Sequence, residues 1–245
     1  MSIFAANLYP YFSRLLNVTI ALLGLVILAP LFLLLALLVR SSGPGQIFYK
    51  GQRVGKDEQI ITIYKFRTMQ IGSEHQIGAR LLAEKDNYVT PIGKVLRYLK
   101  MDELPQLFNV LKGDMALVGP RPIRPIFLPT LKATIPRYEE RFQVLPGITG
   151  LAQYRGGYYT LPRHKLRYDL LYVKRQSLWL DIKLLCGTII ILGKRSVRGL
   201  QGIPLHENSP PPRSPKALPN PTQTDSLPPS DALMKSKASS ATFCE

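Results

Sequence analysis

The strongest constraint on this chain is a run of residues without a charged side chain, which extends from Leu15 to Val39. A straight helix of that length is about 37 Å long, more than the ~30 Å hydrocarbon core of a bilayer. The run is too long for the apolar part of a signal peptide, and Val39 is followed by Arg40 rather than by a small-x-small cleavage site. The sequence therefore predicts a membrane helix over residues 15–40, with a buried core helix as the weaker alternative.

A proline lies in the second half of this run, at Pro30. Proline removes one backbone donor and clashes with the carbonyl four residues earlier, so a kink is expected there. Basic residues flank both ends of the run, namely Arg14 before it and Arg40, Lys50, Arg53 and Lys56 after it. This distribution favours a cytoplasmic C-terminal flank and allows the N-terminal flank to be cytoplasmic too. The residues alone leave open a spanning helix and a re-entrant one.

Basic residues outnumber acidic ones two to one: there are 32 Lys and Arg against 16 Asp and Glu, a net charge of +16. Residues 203–245 contain four basic and four acidic side chains, so the whole excess lies in residues 1–202. Three classes of anionic partner fit such a charge: phospholipid, nucleic acid and a phosphorylated substrate. No DNA- or RNA-binding motif accompanies the charge, so the prediction is no nucleic acid.

The C-terminal tail, residues 203–245, is rich in proline, serine and threonine, and its composition predicts disorder. The two cysteines, Cys186 and Cys244, cannot build a disulfide framework, and no zinc-ligand spacing is present. The chain is thus expected to divide into an N-terminal segment 1–14, the membrane helix 15–40, a cytosolic domain 41–202 and the tail.

A second apolar stretch, from Leu184 to Gly193, is too short to span a membrane. It follows Trp179, is closed by Lys194 and Arg195, and has further basic residues upstream. Apolar residues with basic flanks and a tryptophan are typical of a helix in the lipid headgroup layer. A core helix of the cytosolic domain fits almost as well, so both interpretations stay open.

Residues 44–150 have the pattern of a mixed α and β domain. The β-branched run 59–64 predicts a strand that pairs with residues 47–49 across a turn at 55–57. A helix is expected over residues 91–99, with Thr90 as its N-cap and Pro91 as its first residue.

A further helix is indicated after residue 101, because Leu104, Leu107, Phe108 and Leu111 repeat at helical spacing and Gly113 can end it. Asp102 and Glu103 then lie near its N-terminus. In the simpler interpretation Asp102 caps the helix and Glu103 complements its dipole. In the functional one, the two carboxylates hold a divalent cation while Lys94, Arg97 and Lys100 attract a phosphorylated ligand.

Arg121 lies between prolines in the stretch 118–122, so it is held on a stiff loop, which suits bidentate contact with phosphate. A plain surface arginine is the alternative. The stretch 146–150, Pro-Gly-Ile-Thr-Gly, is predicted to form a tight turn.

Four motifs occur in order: Lys-Phe-Arg-Thr-Met at 65–69, Asp-Glu-Leu-Pro-Gln-Leu at 102–107, Val-Gly-Pro-Arg-Pro at 118–122 and Pro-Gly-Ile-Thr-Gly at 146–150. Behind an apolar segment with a proline inside it, this series resembles the bacterial sugar transferase family, the monotopic phosphoglycosyl transferases. The resemblance covers residues 20–195. It implies a mixed, mostly helical α/β domain with amphipathic surface helices, anchored by a re-entrant membrane helix kinked at Pro30.

The resemblance also implies a reaction, in which a sugar 1-phosphate moves from a UDP-sugar to a polyprenyl phosphate, undecaprenyl phosphate being expected, and UMP is released. Asp102 would form a covalent phosphosugar intermediate, and Glu103 would hold Mg²⁺. The implied substrate-binding residues are Lys65, Arg67, Arg97, Arg121 and Arg155, the last being the arginine nearest to the place where family members often carry one. Such a step begins the assembly of exopolysaccharide, capsule, O-antigen or glycoprotein glycans.

The implied location is the cytoplasmic membrane of a bacterium, with the domain on the cytosolic face and in contact with its lipids. Longer family members carry additional N-terminal spans, so this chain is expected to be a minimal catalytic form. The rival hypothesis is a non-catalytic, membrane-anchored basic scaffold, which needs the charge and the apolar segment but not the acidic pair. The sugar, the polyprenol length and whether the chain forms a homodimer stay open.

Overall fold

The computed structural model describes residues 3–73, 88–155 and 161–200. Its helices are α1 (Ile3–Ile27), α2 (Ala29–Ser41), α3 (Pro91–Leu99), α4 (Gln106–Lys112), α5 (Leu128–Thr134), α6 (Leu151–Arg155), α7 (Pro162–Arg175) and α8 (Leu178–Leu200). Its strands are β1 (Phe48–Val54), β2 (Ile60–Phe66), β3 (Ala116–Val118) and β4 (Gly147–Thr149). The mixed, mostly helical α/β class is confirmed, whereas the predicted disordered tail lies outside the described residues.

The apolar segment forms two helices that meet at Leu28. Pro30 lies in the first turn of α2, and Leu28 both donates to the carbonyl of Gly24 and accepts from the N–H of Phe32. The predicted interruption is therefore a kink in a nearly continuous chain of hydrogen bonds. The helix begins at Ile3, well before residue 15, where the uncharged run begins, and it includes Arg14. Within the described ranges, Leu8–Ile27 of α1 is the one helix stretch long and apolar enough to cross a membrane.

The inner face of α1 is fixed to the domain by polar side chains. The guanidinium of Arg14 donates to the carbonyls of Val110 and Leu111 at 2.6 and 2.7 Å. These carbonyls belong to the last turn of α4, where a cation also offsets the helix dipole. The side-chain oxygen of Asn17 accepts from the N–H of Leu117 in β3 at 2.8 Å. Ala21 is buried in the main core and Leu25 packs against it, so one face of α1 belongs to the domain well into the second half of the helix.

The outer faces of both helices are apolar and exposed. Leu22, Leu23, Val26, Leu33 and Leu37 all lie there. On the inner side of α2, by contrast, the buried residues Leu35 and Val39 pack against Phe66 of β2 and Leu96 of α3. The pair of helices therefore presents one face to the domain and leaves an apolar face exposed.

The hairpin predicted from the β-branched run is confirmed and is longer than predicted. β1 and β2 pair antiparallel along seven residues each, from Phe48 opposite Phe66 to Val54 opposite Ile60. The side chain of Asn109 in α4 closes the other edge of β2, because it accepts from the N–H of Tyr64 and donates to the carbonyl of Thr62. This contact orients α4 against the sheet.

A second, parallel pair joins β3 to β4, with Ala116 opposite Gly147 and Val118 opposite Thr149. The tight turn predicted at 146–150 is therefore wrong, since three of its residues form a strand. A Cβ atom on Gly119 or on Gly147 would collide with the backbone of the opposite segment. Glycine is needed at both positions so that the loop after β3 can approach β4.

Helix α3 has the predicted bounds, and the hydroxyl of Thr90 accepts from the N–H of Gly93 at 3.0 Å. The next helix differs from the prediction. Lys100 takes a left-handed conformation, and Met101–Glu103 form a separate 3₁₀ turn before α4 begins at Gln106. The face of α4 is also rotated, because Phe108 is exposed while Val110 is buried.

The last helix, α8, contains the second apolar stretch and is buried on one face only. Leu184 is buried in the main core with Ile63, Met115 and Leu117, whereas Trp179 on another face is 75% exposed. Its first turn is tied to other helices, because Asp181 accepts hydroxyl hydrogen bonds from Tyr9 of α1 and Tyr172 of α7. α8 is thus a core helix with an exposed apolar face.

Candidate active site

The acidic pair lies in the 3₁₀ turn between α3 and α4, and both side chains are buried, each residue being 7% exposed. The turn exists because Lys100 ends α3 in a left-handed conformation, which redirects the chain before Pro105 starts the next helix. Asp102 makes no capping hydrogen bond, so the capping interpretation is wrong for this residue. The two carboxylates are therefore presented by a turn that neither of them stabilises as a cap.

Glu103 is held by two cations from distant parts of the chain. Its Oε1 lies 2.7 Å from Nζ of Lys65 in β2. Arg121 forms a two-point contact with it, because one guanidinium nitrogen donates to Oε2 at 3.2 Å and the other to Oε1. The Glu103 side chain is 8% exposed, whereas that of Arg121 is 42% exposed. The guanidinium therefore forms part of the surface above the buried acid.

The charges of this cluster control its protonation. Burial alone would raise the pKa of Glu103, but Arg121 and Lys65 reverse this effect and hold the pKa well below its usual range. Burial lowers the pKa of Lys65, and the charge of Glu103 opposes that shift. Glu103 is consequently ionised throughout the neutral range. It holds Arg121, and it holds Lys65 at a position where the charge of Lys65 also acts on Asp102.

Asp102 is in a different state from its neighbour. Its Oδ1 atom is buried and has no hydrogen-bond partner within the described part of the chain. Burial, followed by the charge of Glu103, raises the pKa of Asp102, while Lys65, Lys100 and Arg97 act in the opposite direction. A buried carboxylate oxygen without a donor is more basic and less solvated than an ordinary one. It is thus suited to act as a nucleophile or a base.

The structure brings three of the five predicted substrate-binding residues to this site. Lys65 and Arg121 contact Glu103, and Arg97 lies close enough to Asp102 for its charge to lower the pKa of that carboxyl. Nε of Arg97 also donates to the hydroxyl of Thr68 at 2.8 Å, which aligns its guanidinium.

For the other two, Arg67 and Arg155, the described part of the chain shows no contact with the acidic pair. Arg67 donates to the backbone carbonyls of Val39, Gly43 and Pro44, so it binds the end of α2. It connects the apolar helix pair to the sheet, and these hydrogen bonds lie away from the acidic pair. Arg155 is exposed at the last residue of α6. Its predicted role in nucleotide binding stays a prediction.

Sequence reasoning missed Lys165 and the pair Arg141–Asp169. Lys165 lies in α7, where burial lowers the pKa of its ammonium and the positive charge of Arg121 lowers it further. Arg141 donates to Asp169 and to the backbone carbonyl of Arg121. No local signal points to these residues, since the contacts join segments 20 to 44 positions apart along the chain.

The donor set fits a magnesium ion that is shared with a substrate. Throughout the described ranges, no group of three or more His, Cys, Asp or Glu side chains could form a complete metal site. Mg²⁺ is usually bound through one or two carboxylates, water and substrate phosphates, and it does not need such a group. The unpartnered Oδ1 of Asp102 beside Glu103 is the kind of oxygen that a metal–phosphate complex can approach.

Comparisons with known proteins extend this description. The family model for the bacterial sugar transferase matches residues 8–195. A UDP-N-acetylgalactosamine-undecaprenyl-phosphate N-acetylgalactosaminephosphotransferase of Aeromonas hydrophila is 41% identical over 191 residues, which are 77% of this chain and 45% of that protein. A UDP-glucose:undecaprenyl-phosphate glucose-1-phosphate transferase of Caulobacter vibrioides is 40% identical over 182 residues, 72% of this chain and 68% of that protein.

The exopolysaccharide production protein PSS of Rhizobium leguminosarum bv. phaseoli is 37% identical over 187 residues, 73% of this chain and 93% of that protein. The chain spans less than half of the Aeromonas relative and only 38% of a glucose-1-phosphate transferase from Xanthomonas campestris. The family match nevertheless includes the whole site and all of the apolar segment from Leu15 to Val39. The chain therefore belongs to the bacterial sugar transferase family, as the order of its four motifs predicted.

Proposed function

We propose that this protein transfers a sugar 1-phosphate from a UDP-sugar to a polyprenyl phosphate, undecaprenyl phosphate in particular, and releases UMP. The observation that carries the proposal is the pairing of unlike carboxylates at 102 and 103. Glu103 is ionised and fixed by two cations, while the buried Oδ1 of its neighbour lacks a donor. The names of the relatives support the substrate classes, since those transferases use UDP-sugars and undecaprenyl phosphate.

In the first step an Asp102 carboxylate oxygen attacks the β-phosphorus of the UDP-sugar. The bond between that phosphorus and the bridging oxygen breaks, and the bridging oxygen leaves with UMP. The product on the enzyme is an aspartyl phosphosugar, a mixed anhydride of carboxylic and phosphoric acid. An unpartnered and poorly solvated carboxylate oxygen favours this attack, because little hydrogen bonding is lost when the new bond forms.

In the second step a phosphate oxygen of the polyprenyl phosphate attacks the same phosphorus. The bond to Asp102 breaks, the carboxylate is regenerated, and a polyprenyl diphosphosugar is released. Both steps bring anions together, so surrounding cations are required. Arg97 and the exposed part of Arg121 are suited to the phosphates, while Lys65 reduces the negative charge at the acidic pair.

Magnesium belongs to the proposal as a cofactor. Glu103 would contribute a carboxylate oxygen to it, and the remaining ligands would be diphosphate oxygens and water. When bound, the ion neutralises charge on the diphosphate and on the leaving UMP. The contacts of Lys65 and Arg121 with Glu103 keep that carboxylate ionised and oriented before any ion arrives.

The anchor proposed for this reaction is a re-entrant helix pair on the cytosolic face of the bacterial inner membrane. Both ends of the pair contact the same domain, at Tyr9 and Arg14 of α1 and at Val39 of α2. Beyond Asn17, the last polar contact of α1, about ten residues remain before the kink at Leu28. Ala21 and Leu25 among them still pack against the domain core, so these residues rise at most about 15 Å into the bilayer. That is half of a ~30 Å hydrocarbon core, so the kink would not pass the midplane.

The activity is tested by UMP release from the full chain in nanodiscs with Mg²⁺, undecaprenyl phosphate and a panel of UDP-sugars. Release is expected with one or a few sugars, and Asp102→Asn should abolish it. Asp57→Asn is the matched control, because Asp57 lies in the exposed hairpin turn. Release that survives in Asp102→Asn would eliminate the covalent route, and its absence for every sugar with folded protein would favour the scaffold hypothesis.

The anchor is tested separately by cysteine labelling in bacterial cells. With Cys186 and Cys244 replaced by serine, Tyr11→Cys and Ser42→Cys each place one thiol at an end of the helix pair. Re-entry predicts that a membrane-impermeant maleimide labels both thiols only after lysis. Labelling of Tyr11→Cys in intact cells that have a permeabilised outer membrane would demonstrate a spanning helix.

A further inference from the structure

We infer that Arg141 is a positioning residue of the active site, which acts by holding the main chain of Arg121 through a buried ion pair with Asp169. The inference rests on the proposed function for its catalytic consequence, and its structural part can be measured without turnover. Arg141 lies in the 3₁₀ stretch Tyr138–Gln143 and Asp169 lies in α7. Neither side chain contacts the acidic pair at 102–103.

Every nitrogen of the Arg141 guanidinium has a partner. Nε donates to Oδ2 of Asp169 at 2.9 Å, and one terminal nitrogen donates to the hydroxyl of Tyr138 at 3.2 Å. The other terminal nitrogen lies 2.8 Å from Oδ2 of Asp169 and donates to the backbone carbonyl of Arg121 at 2.8 Å. The guanidinium also lies over the rings of Tyr138 and Phe142, at 5.2 and 5.5 Å from their centroids.

This arrangement is deeply buried, with side-chain exposures of 5% for Arg141 and 4% for Asp169. A buried ion pair contributes little net stability compared with an apolar pair, because desolvation offsets the attraction. The advantage of the ion pair here is that it fixes the directions of the hydrogen bonds made by Arg141. The planar guanidinium fixes three acceptors from three segments in one geometry, which a flexible ammonium or an apolar side chain cannot reproduce.

The main-chain hydrogen bonds around Arg121 show what the contact with Arg141 adds. On either side of it, the carbonyl of Pro120 accepts from the N–H of Gly147 and the carbonyl of Ile123 accepts from the N–H of Val54. Between these backbone contacts, the carbonyl of Arg121 is held by a side chain. Because the guanidinium of Arg121 binds Glu103, a displacement of its main chain moves the cation that holds the carboxylate next to Asp102 in the sequence.

The test uses Arg141→Lys, which retains the charge opposite Asp169 but cannot also bind Tyr138 and the carbonyl of Arg121. We expect kcat to fall about 10- to 100-fold, the effect of a displacement on the order of 1 Å at a reacting centre. Arg137→Lys is the matched control, since Arg137 is an exposed arginine paired with Glu140 in the same region. It should retain kcat within about 2-fold, in line with the small effects of exposed ion pairs.

To separate a positioning role of Arg141 from a merely structural one, Arg141→Lys is also made in the Arg121→Ala background. If Arg141 acts through Arg121, Arg141→Lys should lower kcat no further in the Arg121→Ala background, although its effect on the melting temperature should be the same in both. Equal losses of kcat in the two backgrounds would overturn the inference.

Hydrogen–deuterium exchange provides the readout that needs no reaction. In Arg141→Lys the amides of Val54 and Gly147, which donate to the carbonyls on either side of Arg121, should exchange faster than in the wild type, while Arg137→Lys should leave them unchanged. Unchanged exchange in Arg141→Lys overturns the inference even if the enzyme is active. Faster exchange supports the positioning contact even if the wild type releases no UMP, an outcome that would refute the proposed function alone.

Discussion

Two buried carboxylates of this protein are paired with arginines, and their surroundings differ. Asp169 and Arg141 are both enclosed, with side-chain exposures of 4% and 5%. Glu103 is equally buried, but its partner Arg121 is 42% exposed, and a second cation, Lys65, shares the same oxygen. Arg141 and Asp169 thus form a closed pair, in which both side chains are buried. Glu103, Lys65 and Arg121 form an open cluster, which has an excess of positive charge and is partly exposed at the surface.

The difference separates a structural use of charge from a chemical one. In the closed pair every donor is directed to a fixed acceptor, so the charges hold segments in place. In the open cluster, part of the positive charge remains accessible to an anion, and the adjacent Asp102 has an oxygen without a donor. Buried polar atoms without partners are uncommon, and they are expected where a substrate supplies the missing contact.

The largest expected effect is on turnover. Glu103→Gln removes the charge that fixes Lys65 and Arg121, and we expect kcat to fall about 10³-fold, as when preorganised electrostatic groups are lost. Glu58→Gln is the matched control, because Glu58 forms an exposed ion pair with Lys132. The measurement is UMP release from nanodisc-held protein. A loss below about 3-fold would mean that the open cluster is structural, like the closed one.

For stability, the larger effect is expected at the Arg141–Asp169 pair and the smaller one at Glu103. Asp169→Ala leaves Arg141 buried and charged, since arginine does not deprotonate in proteins, and should destabilise the fold by about 3–5 kcal/mol. Glu103→Ala should cost less, about 1–2 kcal/mol. There the exposed Arg121 can be solvated again, and Lys65, whose pKa burial already lowers, can release its proton. Thermal unfolding of the two variants in the same detergent measures which of them is destabilised more. Equal losses of stability in Asp169→Ala and Glu103→Ala would contradict this prediction.

The sequence predicted what depends on local signals. The hairpin, helix α3 with its Thr90 cap and the interruption at Pro30 all follow from β-branched runs, capping residues and proline. The acidic pair could be singled out, but its chemistry came from the resemblance and not from residue types.

The remaining features depend on long-range contacts. Strands of three residues, such as β3 and β4, carry no periodicity, so their pairing could not be predicted. The capping role expected for Asp102 failed because Lys100 adopts a left-handed conformation and separates the turn from α4. Arg67 has the same charge as Lys65 two residues earlier, yet it lies just past the last residue of β2 and donates to carbonyls at the end of α2. Burial of a cation by a distant segment has no signature in the local sequence.

The pH dependence of the reaction sharpens the contrast inside the acidic pair. Burial raises the pKa of Asp102, whereas Arg121 and Lys65 hold that of Glu103 well below its usual range. As pH falls, Asp102 is therefore protonated first and stops acting as a nucleophile. The acid limb of kcat/KM should lie above the range of an ordinary aspartate and follow a single ionisation.

Lys100 offers a way to move that limb. Its charge lowers the pKa of Asp102, so Lys100→Asn should shift the limb to higher pH, and asparagine tolerates the left-handed backbone at this position. Lys94→Asn, an exposed lysine of α3, serves as the control and should leave the limb in place. A limb that stays fixed in Lys100→Asn would mean that another group controls the acid side.

The smallest effect is the most specific test of the unpartnered carboxylate. Because the pKa of Asp102 is higher in the folded protein than in the unfolded chain, its ionised form destabilises the fold above that pKa. Asp102→Asn should then raise the melting temperature by roughly 2–4 °C at neutral pH, equivalent to about 1 kcal/mol, while it abolishes turnover.

The sign of this effect also depends on pH. Below the ordinary pKa of an aspartate the carboxyl is protonated in both states, so the advantage of asparagine should disappear. Glu103→Gln should behave in the opposite way. Its carboxylate, with a lowered pKa, stabilises the fold above the ordinary pKa of a glutamate, and that contribution is lost as pH falls through the folded value. At neutral pH the melting temperature of Asp102→Asn should therefore lie above that of the wild type and that of Glu103→Gln below it, and both differences should shrink as pH falls. Differences of the same sign in the two variants would show that the fold does not distinguish the two acids.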